Sequence, residues 1–184
     1  MLRTSKSRLL PAVAALALAV SACGGDDGKS AATGDRAYNQ ADAAFVASMI
    51  HHHEGGVELG KLAVEKGVDP QVKQLGDGIV EEQAREIKTI ERLIRETKAP
   101  TIMPAAIAQR DKADMMALKA ASGAMFDKLW LDVISAHHSA AIQMAEIEKR
   151  GGKLPEAKQL SESIIQSQSE ELTRFNALVA QNKS

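Results

Sequence analysis

The segment MIHHHEGGVELGKLA (residues 49–63) places three consecutive histidines inside an apolar pattern of helical spacing. Apolar and small side chains recur every three or four residues, which predicts an amphipathic helix rather than a strand. Asn39 is the predicted N-cap of this helix. Gly67 ends it, and Pro70 lies in the first turn of the next helix, where proline is favoured. A second apolar stripe continues to Ile94, so the two helices form a predicted hairpin.

The hairpin pattern occurs twice, in the repeats 42–94 and 127–179, which align without a gap at an offset of 137 − 52 = 85 residues. Such a repeat indicates one helical unit present in two copies. Two hairpins bury their apolar stripes best in a four-helix bundle with pseudo-twofold symmetry, so the predicted fold class is all-α. The aligned pairs include Asp42 with Asp127, His52 with His137, Gly67 with Gly152, Pro70 with Pro155 and Ile79 with Ile164.

A connector separates the two repeats. Pro100 and Pro104 mark a break, after which residues 107–121 are predicted to form a shorter helix that ends at Ser122 and Gly123. This connecting helix has no counterpart in the repeat.

The N-terminus has the features of an export signal. Residues 1–22 combine three basic side chains with an apolar run too short to remain in a membrane. Cleavage before Cys23 would expose that cysteine for lipidation, and the alternative is an ordinary cleaved signal. Residues 23–38 are rich in Gly, Asp and Ser and are predicted to be a flexible, lipid-anchored linker. The bundle domain is expected at 39–184, outside the cytoplasm in the cell envelope, with the membrane as a partner through Cys23.

Composition excludes several classes of protein. The formal net charge is −1, and removal of the basic signal peptide makes the chain more acidic, which argues against a nucleic-acid partner. Cys23 is the only cysteine, so the bundle contains no disulfide. Aromatic residues make up 3% of the chain, so the core must be built from aliphatic side chains and methionine. Homo-oligomerisation stays open.

All five histidines lie in two clusters that occupy equivalent positions of the two repeats. Clustered histidines are typical of metal sites, and a methionine lies one or two helical turns from each cluster. The alternative is a polar layer in which hydrogen bonds satisfy the imidazoles without a metal. The predicted metal ligands are His52, His53, Met49, His137, His138 and Met144.

The second helix of each hairpin carries polar side chains on its apolar stripe. Gln83 and His53 are both 15 residues from Val68 at the turn, so antiparallel helices bring them to the same height. Amide and carboxylate groups at this height would orient the imidazoles, whether or not a metal binds. The predicted supporting residues are Gln83, Glu86, Gln168 and Glu171.

Ligand softness favours copper, because neutral imidazoles with thioethers suit that metal, whereas added carboxylates would suit zinc or iron. Four further methionines occur in or beside the connector and would provide a second soft site or, as is commoner, fill the core. These are Met103, Met115, Met116 and Met125.

Residues 49–63 and 122–147, each followed by Gly-x-x-Pro and Ile-x-x-x-Gln-x-x-Glu, resemble the domain of unknown function 305 family. The resemblance extends from about residue 42 to residue 179. It implies a ferritin-like helical bundle of the bacterial envelope, in a family with some members associated with copper binding and tolerance. It also implies that the paired histidines and Met49 and Met144 match the family's own. The sequence departs from the family pattern at His51, Leu59, Ile134 and Ser139.

The leading hypothesis is an envelope protein that binds a transition metal, most of all copper, for storage, buffering or tolerance. A helical interaction scaffold without metal is the main alternative. A ferritin-like metal-dependent oxidoreductase is less favoured, because such sites use Glu-x-x-His and no glutamate precedes either histidine pair at that spacing. No catalytic constellation is found, so an enzyme is not expected.

Overall fold

The computed structural model describes residues 37–99 and 105–181 of the chain. They form five α-helices: α1 Gln40–Lys66, α2 Pro70–Thr97, α3 Ala105–Ala120, α4 Gly123–Gly151 and α5 Pro155–Gln181. The predicted all-α bundle of two hairpins is therefore confirmed, with α1–α2 and α4–α5 as the hairpins. The signal peptide, Cys23 and Met103 lie outside the described residues, as does nearly all of the linker. None of the described helices is long and apolar enough to span a membrane.

The ends of α1 follow the predicted local chemistry. The Asn39 side chain accepts hydrogen bonds from the backbone amides of Ala41 and Asp42, and the Asp42 carboxylate accepts one from the Asn39 amide. This reciprocal arrangement is a capping box, which satisfies amides that have no partner within the helix. At the other end the Gly67 amide donates to the Ala63 carbonyl, and Pro70 occupies the first turn of α2.

Helices α1 and α4 pack against each other, while α2 packs on α1 and α5 packs on α4. Burial of their facing stripes gives two separate apolar clusters. The first includes Phe45, Met49, Ile90 and Ile164, and the second includes Ile79, Phe126, Trp130, Ile134 and Phe175. The paired histidines belong to neither cluster.

The connecting helix α3 begins two residues before the predicted 107 and ends one residue before 121. Its C-terminal end is fixed to the first hairpin, because the Lys66 ammonium donates to the main-chain oxygens of Leu118 and Lys119 at 3.1 and 2.5 Å. A cation at this position also complements the negative end of the helix dipole. Leu118 is fully buried in the second apolar cluster, and through these contacts α3 packs on both α1 and α4.

Candidate metal centre

His52 of α1 and His137 of α4 meet where the two hairpins pack together. Their ring centroids are 3.7 Å apart, and each residue is partly exposed. The His52 Nε2 donates to the His137 carbonyl oxygen, and the His137 Nε2 donates to the His52 carbonyl oxygen, both at 3.0 Å. Because a carbonyl only accepts, the hydrogen of each neutral ring is on Nε2, and Nδ1 keeps the lone pair that can bind a metal.

His53 and His138 lie on either side of this central pair and are fully buried. The His53 Nε2 lies 2.7 Å from the Glu86 carboxylate, and the His138 Nε2 lies 2.6 Å from Glu171. Both glutamates therefore contact histidines on the neighbouring helix of their own hairpin, as the matched heights of the antiparallel helices predict. The carboxylates fix the ring orientations and keep the hydrogen on Nε2. In each ring Nδ1 is buried with no hydrogen-bond partner among the described residues.

The two glutamines complete the polar layer. Gln83 and Gln168 are 2% and 1% exposed, and neither amide makes a hydrogen bond within residues 37–99 and 105–181. A buried amide without a partner costs about 1–3 kcal/mol. Both side chains can therefore still accept or donate hydrogen bonds to a bound ligand. Gly56 makes room for the first of them, since a Cβ at Gly56 would lie 2.1 Å from the Gln83 Oε1.

A cavity of about 490 Å³ lies over the central histidine pair, between α1, α3 and α4. Its walls include residues that are equivalent in the two repeats, such as Leu59 and Met144, so both repeats contribute matching positions to it. The connecting helix adds Met115 and two carboxylates, Asp111 and Asp114. The cavity thus combines two imidazoles with two thioethers.

The six predicted ligands do not lie together. His52, His137 and Met144 line the cavity, while Met49 is fully buried in the first apolar cluster and its counterpart Ile134 is buried in the second. Of the connector methionines, Met115 lies at the cavity. Met116 and Met125 are 63% and 67% exposed and lie away from it.

Sequence reasoning missed the two connector aspartates as cavity residues. Asp111 and Asp114 are three residues apart, and Met115 follows one turn after Asp111, so all three share one face of α3. That spacing could have grouped them. The direction in which this face points depends on how α3 packs on the bundle. The alignment of the two repeats says nothing about that packing, because α3 lies outside both repeats.

Burial of the ring and the neighbouring imidazoles keep His137 neutral. The pKa of His137 is lowered well below 6.5, first because burial disfavours the charged form and then because His52, His138 and His53 surround the ring. A neutral imidazole is the form that binds metals.

The histidine and carboxylate groups alone do not make a complete metal site. In the part of the chain that the structure describes, no three His, Cys, Asp or Glu side chains converge in a metal-binding arrangement. A metal at the central pair would need ligands of another type, and the thioethers of Met115 and Met144 are the side chains of that type at the cavity. Two imidazoles and two thioethers form a donor set that fits copper better than zinc or iron.

Known proteins with similar sequences or folds agree with this architecture. The family model for domain of unknown function 305 (DUF305) matches residues 42–179, with a further match over residues 27–94. None of the curated proteins matches the sequence.

Solved structures superpose closely on this bundle. A DUF305 protein from Streptomyces coelicolor has a TM-score of 0.70 and 22% identity, and the match covers 78% of this chain and 94% of that chain. CopM in its Cu(II)-bound form has a TM-score of 0.68 and 29% identity, covering 78% and 97%. CopM in its Cu(I)-bound form has a TM-score of 0.68 and 26% identity, covering 78% and 98%. Since the family model spans both repeats of the bundle, the chain belongs to the DUF305 family.

Proposed function

We propose that this protein binds copper at the cavity over His52 and His137, and that it stores, buffers or hands on the metal in the cell envelope. One observation carries the proposal: the central imidazoles of both repeats lie in contact, with their Nε2 atoms engaged and their Nδ1 lone pairs kept, at a cavity that also holds two methionines.

The donor set supports copper in particular. Thioether sulfur is a soft ligand that favours Cu(I), and imidazole binds both oxidation states. CopM, at 26–29% identity, has been solved with Cu(I) and with Cu(II), and at 27% identity with silver, which supports the same soft chemistry in this chain.

The fully buried histidines have a supporting role in this proposal. Glu86 and Glu171 hold the His53 and His138 rings, whose centroids lie 6.1 and 6.2 Å from those of the central pair. Their Nδ1 atoms and the Gln83 and Gln168 amides are buried without hydrogen-bond partners among the described residues, so they keep polar atoms that could hydrogen-bond to a bound metal's other ligands.

Export and anchoring are part of the same proposal. Residues 1–22 would direct the chain out of the cytoplasm, and lipidated Cys23 would hold it at the membrane by the linker. Mass spectrometry of the protein extracted from its own envelope tests this, because the N-terminal peptide should begin at Cys23 and carry acyl chains. Extraction in the aqueous fraction with an unmodified cysteine would contradict anchoring.

The binding test is a competition titration of the mature protein with Cu(I) against a chromogenic chelator. The double variant His52→Ala/His137→Ala should lose at least about a hundredfold in affinity, which corresponds to about 2.7 kcal/mol. His51→Ala is the matched control, because His51 is in the same histidine run, pairs with Glu54 and is not part of the cavity wall. Its affinity should equal that of the wild type. Equal affinity of all three proteins would overturn the proposal and favour a metal-free scaffold.

A further inference from the structure

At one end of the bundle, the turn between α4 and α5 is held by a side chain from the start of α1. The Asp42 carboxylate accepts hydrogen bonds from the backbone amides of Lys153 and Leu154, at 3.0 and 2.8 Å, and from the Asn39 amide at 2.6 Å. The Asn39 side chain donates to the Gly151 carbonyl at 2.8 Å. The α4–α5 turn is thus fastened to the N-terminal end of α1.

The other end of the bundle contains the symmetry-equivalent arrangement. Asp127 of α4 accepts hydrogen bonds from the backbone amides of Val68 and Asp69, at 3.0 and 2.8 Å. Each hairpin turn is therefore held by an aspartate of the other repeat. Such charge-assisted hydrogen bonds are stronger than neutral ones.

The two ends differ at one position. Glu148 is fully buried beside Asp42, whereas its equivalent in the first repeat is Ala63. The Glu148 carboxyl lies against Gly152, where an added Cβ would be 2.0 Å from Oε1. Neither Glu148 oxygen makes a hydrogen bond within the described ranges.

Two carboxyl groups so close and so deeply buried cannot both be charged without a large cost. We propose that Asp42 and Glu148 together carry one proton, on Glu148, and act as a pH-sensitive latch, which holds the α4–α5 turn while Glu148 is protonated and releases it when Glu148 ionises. The step is a simple proton loss: the Glu148 O–H bond breaks, the proton passes to water, and two carboxylates remain face to face.

The surroundings set the direction of this switch. Burial and Asp42 raise the pKa of Glu148 to about 8, and Lys158 of α5 opposes that rise through its positive charge. Burial, the largest single influence, acts to raise the pKa of Asp42, but the amides of Asn39, Leu154 and Lys153 and the protonated Glu148 together lower it. Asp42 is therefore the carboxylate and Glu148 the acid at neutral pH.

A raised pKa of an acid in the folded state means that stability is full below the unfolded value of about 4.5 and declines as pH rises towards 8. Between pH 6.5 and 8 the folded protein should retain a proton that the unfolded chain has lost. The free energy of unfolding should therefore fall across this window, and the α4–α5 turn should loosen first.

The test compares wild type with Glu148→Ala and Glu148→Gln, using urea unfolding at pH 6.5 and pH 8. Wild type should lose stability between the two values. Glu148→Ala recreates the alanine of the first repeat, so it should fold and lose the pH dependence. Glu148→Gln, which mimics the protonated acid, should do the same and keeps the test decisive if the alanine variant does not fold.

Amide hydrogen exchange gives a control within one molecule. Above pH 8 the amides of Lys153 and Leu154 should lose protection, beyond the base-catalysed increase that every amide shows, while those of Val68 and Asp69 should not. A pH dependence that persists in both Glu148 variants would overturn the latch. Equal loss of protection at the two turns would also overturn it.

Discussion

His52 and His137 each donate the Nε2 hydrogen to the main-chain oxygen of the other, and both hydrogen bonds are 3.0 Å long. This reciprocal pair joins the two repeats on their pseudo-twofold axis. It also selects one tautomer for both rings, because the acceptors are carbonyl oxygens. The same contact therefore holds α1 against α4 and leaves the Nδ1 lone pair of each ring able to bind a metal.

The tautomers can be measured directly. In metal-free protein at neutral pH, His52, His53, His137 and His138 should all carry their hydrogen on Nε2, because each Nε2 faces a carbonyl or carboxylate oxygen. Long-range ¹H–¹⁵N correlation spectra distinguish the two tautomers. A hydrogen on Nδ1 of either central ring would mean that the reciprocal pair does not form in solution. Added Ag(I), a diamagnetic stand-in for Cu(I), should shift the Nδ1 signals of the central rings most.

The two predicted methionine ligands should behave differently. Met144 lines the cavity, so Met144→Leu should weaken Cu(I) binding about tenfold, or about 1.4 kcal/mol. Leucine occupies the equivalent position 59, and such swaps usually change stability by less than about 1.5 kcal/mol. Met49→Ile, which introduces the isoleucine found at equivalent position 134, is the matched control, since Met49 is buried in an apolar cluster. A larger loss of affinity in Met49→Ile than in Met144→Leu would place the soft ligand elsewhere.

Acid should destabilise the metal-free protein through His137. The pKa of His137 is lowered well below 6.5, so the unfolded chain takes up a proton at a pH where the folded protein does not. This contribution to stability is full above pH 6.5 and is lost as pH falls below it. The variant His137→Gln should show a smaller acid-induced loss, measured as the change in urea midpoint between pH 7 and pH 5. An unchanged loss would show that other groups control acid unfolding.

The aspartate that holds the first hairpin turn should contribute measurably to stability. Asp127→Asn keeps the side-chain shape but removes the charge that strengthens the hydrogen bonds to the Val68 and Asp69 amides. We expect a loss of about 1–3 kcal/mol in the free energy of unfolding. The control is Asp132→Asn, an exposed aspartate of the same helix, which should change stability by less than about 0.5 kcal/mol. Equal effects of both variants would contradict the role of Asp127.

Much of the fold could be predicted because the relevant signals are local or repeated. Gly67 and Pro70 predict the turn of the first hairpin, and counting residues from that turn brings Gln83 of α2 to the height of His53, with Glu86 one helical turn further along. The contact between His52 and His137 could not be predicted in the same way. It depends on how the two hairpins pack against each other, which the spacing within a hairpin does not determine.

Departures from symmetry were the hardest features to predict. The alignment paired Asp42 with Asp127, but nothing local indicates that each would hold the turn of the other repeat. Glu148 aligns with Ala63, so the repeat itself gives no reason to expect a buried acid there. The position of α3 is equally hard to predict from the sequence, because that helix has no counterpart in the repeats and no clear apolar stripe.

The most direct test is to locate the metal in crystals of the mature protein grown with Cu(I), using anomalous scattering on either side of the copper absorption edge. We predict a copper peak at the floor of the cavity, bonded to imidazole nitrogen of His52 and His137 and to the sulfur of Met144. Copper found only at exposed surface groups, with the reciprocal histidine hydrogen bonds intact and the cavity free of anomalous signal, would contradict metal binding at this site.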